Sequence, residues 1–241
     1  MYKTSRHILR CYQHPTTLWE GLVRLMEILD RRQQLKATIL PLAREAFRLH
    51  GIRAVKMDDL ASSLKMSKRT LYETYQNKEA LLIDVLRQAM EEHHAVIEKF
   101  KEQNNDVMDL IIEHFRIQTE NYSNTNPLFF RDLKFYPNLT DKFRDIEKYN
   151  FERTMEVFSH GIEEGYFRKE VNYEFVCRVG RQFSFIFRTQ DEFAQYDMRE
   201  VFVSFICALL RGICTDKGVA KLDSFLMDKG LIPSSSQATP L

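Results

Sequence analysis

The sequence predicts an all-α protein, and three observations predict it. Glycine and proline are scarce, at 8 and 6 in 241 residues, so long uninterrupted elements are possible. Apolar residues recur at three- and four-residue spacing almost everywhere, the period of an amphipathic helix. Alternating apolar and polar runs, the mark of half-buried strands, are few.

The chain up to about Pro15 has no clear pattern. Leu18, Leu22, Leu25, Met26 and Leu29 then form a short amphipathic stripe, followed by Arg31, Arg32 and Lys36. The first regular helix is expected over 39–50, with Leu40, Ala43, Ala46 and Phe47 on one face and Gly51 as its stop. Pro41 fits there because it falls in the first turn. A short helix over 57–64 buries Leu60, Ala61 and Leu64. Ser67 caps a third over 68–75, and Asn77 caps a long fourth from Lys78 to about Phe100. Three short helices with tight connections have the layout of a helix-turn-helix unit. Further on, Asp106 opens a helix ending near Asn121. Asn126-Pro127 opens a short one, since proline suits the first helical position, and Pro137 closes it. Thr140 opens a long helix ending at Gly165. Asn172 and Asp197 open the last two long helices, and Gly218 falls just beyond the second. The terminal PSSSQATPL reads as a disordered polar tail.

The net charge of +1 makes no global case for nucleic acid, and its distribution is more informative. Residues 1–90 carry 16 basic against 9 acidic side chains, and the remainder 19 against 25. A basic N-terminal part and an acidic remainder imply different partners. Cys11, Cys177, Cys207 and Cys214 form no CxxC pair and have no ligand spacing with histidine, so they read as free thiols of a reducing cytoplasm. His93 and His94 read as exposed, and no metal is expected. The apolar run over 201–210 is shorter than the roughly 20 residues a bilayer needs, so no membrane partner is expected. There is no export signal, no GxSxG, HExxH, GxGxxG or P-loop, and hence no catalytic residue or cofactor to name.

The stretch SSLKMSKRTLYETYQNKEALL carries the functional reading. With Ser67 as cap, Lys68, Arg69 and Thr70 occupy the first turn of the third helix and Tyr72 lies one turn on. The backbone N–H groups of a helix start attract phosphate, and flanking basic side chains add charge. Residues at the start of a recognition helix are those that meet base edges in a major groove. Tyr72 is assigned to contact and Tyr75 to the core. Lys56 and Lys78 flank the helix as phosphate contacts, Lys78 from a second helix start.

AREAFRLHG (43–51), MDDLA (57–61), SKRTLY (67–72), Tyr75 and NKEALL (77–82) together closely resemble the DNA-binding domain of TetR-family transcriptional regulators, over roughly 36–90. GIEEGYF (161–167) and LRGI (210–213) are similar to segments common in the C-terminal domains of that family. The sequence departs from the pattern at Lys56, where Ser or Thr usually caps the second helix, and at Lys65, often glycine. A left-handed Lys65 would cost about 1 kcal/mol. Pro41 is also unusual. The resemblance leaves residues 1–35 as an extension, disordered or an over-extended gene start, with Met26 where many members begin. It sets the DNA-binding domain at 36–93, its helix-turn-helix at 56–75, an effector-binding and dimerisation domain at 94–232, and the tail at 233–241.

The family implies a cavity for a small apolar or amphipathic effector in the C-terminal domain, and aromatic side chains line such cavities. Phe115, Phe130, Phe135, Phe158, Phe183 and Phe187 are the candidates, although any one of them also has the spacing of core. The family further implies a homodimer through the last two long helices. There Gly180 and Ser184, and Ser204, Ala208 and Gly212 with Phe205 beside them, form ridges of small residues that permit close approach. The function implied is a cytoplasmic, ligand-responsive repressor of a near-palindromic double-stranded DNA operator. Activation, or an all-α small-molecule-binding protein or enzyme, is the alternative. The fourth helix, without glycine or proline, would carry the signal rigidly between the two domains.

Overall fold

The computed structural model describes residues 15–103, 106–193, 196 and 198–228. Eleven α-helices follow one another among these described residues: α1 (Pro15–His50), α2 (Met57–Ser63), α3 (Lys68–Thr74), α4 (Lys78–Gln103), α5 (Val107–Ser123), α6 (Pro127–Asp132), α7 (Leu139–Glu163), α8 (Tyr173–Thr189), α9 (Met198–Val201), α10 (Cys207–Ile213) and α11 (Asp216–Asp228). Among the described residues there is no strand, only one antiparallel bridge between Phe167 and Cys214.

Five helix starts are fixed by caps that the sequence offers, at Ser67, Asn77, Asp106, Asn126 and Asn172. Asp106 accepts the N–H groups of Met108 and Asp109, Asn126 that of Leu128, and Asn172 that of Phe175. Each satisfies a donor that the helix itself leaves unpaired. The first helix departs from expectation. It starts at Pro15 rather than near Thr38, so the Leu22–Leu29 stripe and the core segment belong to one 36-residue rod with Pro41 inside it. Proline there cannot donate to the carbonyl of Ala37; Ala37 is exposed. Trp19, Leu22, Leu25, Met26 and Leu29 on the first turns of this rod are exposed as well.

The end of the chain also departs from expectation. The segment from Asp197, itself outside the described residues, is not one long helix. It breaks into α9, a π-helical turn over Phe202–Ile206, and α10. Gly218 does not follow the last helix but lies buried in the first turn of α11. A β-carbon on Gly218 would stand 2.3 Å from the carbonyl oxygen of Tyr166. The glycine is there for that close approach. The tail at 233–241 lies outside the described residues.

Two cores form. The upper one gathers Ile39, Ala43, Phe47, Leu60, Leu71, Tyr75, Leu81 and Val85 from α1–α4, and with them Leu139 and Phe143 of α7. Phe129, Leu133 and Tyr136 pack against it. The lower core holds Val107, Met108, Phe158, Phe167, Tyr173, Cys207, Leu210, Leu222 and Leu226. The expected division at 93/94 is therefore not a division in packing, because α6 and the start of α7 complete the upper core. Ion pairs Lys36–Asp84 and Arg44–Glu92 share one sequence offset, so α1 and α4 run side by side in the same direction. No helix among the described residues is long and apolar enough to cross a membrane.

Candidate nucleic-acid interface

α2 and α3 meet at a turn that the sequence made doubtful. Lys65 adopts φ +51. The Lys65 N–H reaches the Ser62 carbonyl at 3.0 Å and the Met66 N–H reaches that of Ala61 at 2.9 Å. That pair of bonds is the left-handed helix ending in which glycine normally stands. Hydrogen bonding thus overrides the steric penalty on Lys65. The turn aims α3 across α2, with Leu71 fully buried beneath it.

Ser67 caps α3 as expected. Its hydroxyl accepts the Thr70 N–H at 3.0 Å and lies 2.8 Å from the Thr70 hydroxyl. Lys68 and Arg69 on the first turn are exposed, and each holds a carboxylate. The Lys68 ammonium meets Asp58 of α2 at 2.6 Å, and Arg69 meets Glu73 at 2.7 Å. The hydrogen bond that Lys68 donates to Asp58 raises the Lys68 pKa, so this charge persists far above neutrality. Exposed pairs of this kind contribute little to stability and are easily exchanged for phosphate. Tyr72 is 44% exposed, whereas Tyr75 is 3% exposed, so the two tyrosines divide as the sequence indicated. The Tyr75 hydroxyl donates to Asp84 at 3.2 Å, and burial, with the Asp84 charge, raises its pKa. Lys56, the residue before α2, is exposed and makes no side-chain cap.

Lys78 is a correction. Asn77 caps α4 by accepting the Ala80 N–H at 2.8 Å, but the Lys78 ammonium does not face outward. It donates to the carbonyls of Ile52, Arg53 and Val55 at 3.0, 3.1 and 2.7 Å. Burial lowers its pKa, and the Asp132 charge opposes that shift. A lysine whose donors are spent on the α1–α2 turn is a structural clamp, not a phosphate contact. Sequence reasoning also missed Asp58 and Asp132, whose roles depend on partners 10 and 79 residues away.

The aromatic candidates do not converge on one wall. Phe158 is buried in the lower core, stacked on Tyr173 at 4.6 Å, and Phe115 packs against the same core. Phe130 lies edge-on to Tyr122 at 4.9 Å and to Phe129 at 5.3 Å. Phe183 stacks on Phe205 at 3.8 Å and neighbours Phe187 at 6.0 Å. Phe135 is 51% exposed at the junction, under the Arg53 guanidinium, and belongs to no interior group. His93 and His94, expected in solvent, are half-buried instead. His93 Nε2 stands 3.1 Å from His114 Nδ1, and His94 Nε2 stands 3.0 Å from the Arg153 guanidinium. Arg153 also pairs with Glu98. Burial, and next the His93 charge, pushes the His114 pKa down to about 4.

The small-residue ridge faces outward. Ser204, Ala208 and Gly212 are exposed, Phe205 is 37% exposed, and nothing lies within 4 Å of a β-carbon built on Gly180 or Gly212. The side chain of Ser184 lies outside the described residues. The π-helical turn interrupts the regular four-residue spacing at its start.

Comparison with known proteins agrees with this geometry. Residues 39–85 match the family described as bacterial regulatory proteins, tetR family. No curated protein matches the chain. Among solved structures, a TetR-family transcriptional regulator from Marinobacter aquaeolei VT8 superposes with a TM-score of 0.59 at 13% identity, covering 82% of this chain and 98% of that one. The ketosteroid transcriptional regulator KstR2 of Mycobacterium tuberculosis gives 0.53 at 20% identity, covering 75% and 95%. RolR in complex with resorcinol gives 0.55 at 17% identity, covering 81% and 94%. These likenesses concern the fold. The matched segment spans the capped helix α3 and the turn that presents it, so residues 39–85 carry a DNA-binding domain of the TetR family.

Proposed function

We propose that this regulator is a ligand-responsive repressor that grips a near-palindromic operator as a homodimer. The observation that carries the reading is α3 itself. It is capped by Ser67, and Lys68, Arg69 and Tyr72 stand on its open side. Together with Lys56 these residues make the contact surface: Thr70 and the helix start take phosphate, and Tyr72 reaches toward a base edge or thymine methyl. Lys78 supports the surface from behind.

The outward ridge of Ala208 and Gly212, with Phe205 and the exposed Phe175 and Val179 of α8, supports pairing of α8 and α10 across a two-fold axis. Two recognition helices then fall about 34–36 Å apart, one DNA turn. The effector is a small apolar or amphipathic molecule of the C-terminal half, in the cytoplasm. A ketosteroid regulator and a resorcinol complex among the structural neighbours are consistent with that class.

Selection of duplexes from a random pool by the full-length protein tests this. Enrichment of an inverted repeat with half-sites one turn apart is expected, along with affinity that falls steeply with salt. A monomeric mass in solution together with no enriched sequence would refute it.

A further inference from the structure

The turn joining α1 to α2 is held from two sides by charged groups from elsewhere in the chain. From one side Lys78 takes three of its carbonyls. From the other, Asp132 at the end of α6 accepts the Arg53 N–H at 2.7 Å. Asp132 is 8% exposed and, with Thr74, makes up the buried polar residues among those described. A carboxylate is kept in such a place only when it is paired.

The approach is close on every side. Gly51 has φ +82, and a β-carbon there would stand 2.9 Å from Leu128 Cβ and 3.2 Å from Asp132 Oδ2. The Arg53 guanidinium lies 4.4 Å above the Phe135 ring. At the other end of α6, the Asn126 side chain donates to the Leu49 carbonyl, and its N–H donates to the Arg48 carbonyl, both at 2.9 Å. Both ends of α6 are thus fastened to the end of α1 and its turn. Three residues after Arg53 the chain reaches Lys56 and α2, whose Asp58 pairs with Lys68 of α3.

Resting on the regulator reading above, we infer that Asp132 is a positioning residue for DNA recognition: through Arg53 it sets the α1–α2 turn, and so α2 and α3, by a route separate from α4. A displacement of α6 in the C-terminal half keeps or breaks the Asp132–Arg53 bond. DNA affinity then shifts by the difference between those two arrangements.

The test uses the full chain and the duplex that the wild type selects from a random pool, beside a scrambled duplex. Asp132→Ala should weaken binding to the selected duplex about 10-fold, within the usual range of coupling between sites, and leave the scrambled duplex unaffected. Asp132→Asn, which keeps an acceptor oxygen for the Arg53 N–H, should restore most of the loss. Amides over 52–56 should exchange faster in Asp132→Ala while those of α5 stay protected. Wild-type affinity for the selected duplex in Asp132→Ala overturns the inference, as does equal loss on both duplexes with faster exchange in α5. Should Asp132→Ala not fold, Phe135→Ala decides, since that side chain is half exposed. Selective loss of the selected duplex supports the route, and unchanged affinity overturns it. A wild type that selects no duplex refutes the regulator reading itself.

Discussion

The upper core, around Phe47 and Leu71, and the lower core, around Met108 and Leu222, differ in what surrounds them. Beside the upper core the charges of α2 and α3 are exposed and loosely paired, Lys68 with Asp58 and Arg69 with Glu73. Beside the lower core the polar groups are partly buried and multiply bonded. Asp106 receives two backbone N–H groups, the Tyr166 hydroxyl at 2.6 Å and Lys221 at 3.2 Å. Pairs of the first kind cost little to break, whereas a buried group left unpaired costs its desolvation. One end of the molecule is therefore built to change partners and the other to keep its shape. The α6 segment joins them, because it lies in the chain of the second and packs in the core of the first.

The sharpest way to break this comparison is to strain the lower core. Gly218→Ala would set a β-carbon against the Tyr166 backbone oxygen, which cannot rotate away as a side chain can. A loss of about 3 kcal/mol or more is expected, at the upper end for overpacking, measured by denaturant unfolding. Because Leu139 and Phe143 tie α7 into the upper core, a single unfolding transition should move. Two transitions, of which only one moves, would mean the cores fold independently.

The exchangeable end gives the converse result. Tyr72→Ala removes an exposed side chain, so the melting temperature should hardly change. Affinity for the selected duplex should fall by about 1–3 kcal/mol, the worth of a good base-proximal contact, with little effect on a scrambled duplex. Undiminished affinity in fluorescence anisotropy would remove Tyr72 from the recognition surface.

Acid should find the lower half first. His114 is held neutral, its pKa pushed from the ordinary 6.5 down to about 4. The unfolded chain therefore takes up a proton before the folded one does, and stability falls as pH drops from 6.5 toward 4. The loss should reach about 2 kcal/mol at pH 5. Asp106 acts in the same direction at lower pH. Burial alone would raise its pKa, but hydrogen bonds from Tyr166, the Asp109 amide and Lys221 leave it lowered. His114→Gln should flatten the pH 5–6.5 part of a chemical-denaturation profile, and an unchanged slope would place the titration elsewhere.

What could be read in the sequence was local. Ser67, Asn77, Asp106, Asn126 and Asn172 were legible as caps because a cap and its target N–H lie two or three residues apart. The motif from Ala43 to Leu82 was legible for the same reason, as was the burial of Tyr75 against exposed Tyr72. What failed was long-range. Pro41 read as a helix start, yet the surrounding helical run carries through it. Gly218 read as a stop because its close contact is with a residue 52 positions earlier. Lys78 read as a free cation because the three carbonyls it holds lie on a turn 23 to 26 residues back. The phenylalanines could be counted but not distributed, since their grouping depends on how α5, α7 and α8 pack.

The smallest expected effect is at Lys65 and has the opposite sign. Its φ of +51 is the region that L side chains avoid, although its N–H is well bonded to Ser62. Glycine adopts that conformation without steric cost, and the relief of about 1–2 kcal/mol is offset by the larger freedom glycine loses on folding, about 0.5–1 kcal/mol. Lys65→Gly should therefore stabilise the protein by up to about 1 kcal/mol. The same change deletes an exposed positive charge close to α3. Measuring stability and DNA affinity on one variant separates these two contributions. If Lys65 serves only the turn, stability rises and the salt dependence of binding stays as it was. A salt slope reduced by about one would show that Lys65 neutralises a phosphate. It would extend the partner-exchanging end of the molecule into the turn itself. A variant less stable than wild type would mean that the Lys65 side chain packs usefully on α2, and that the strain at this position is smaller than its dihedral angle implies.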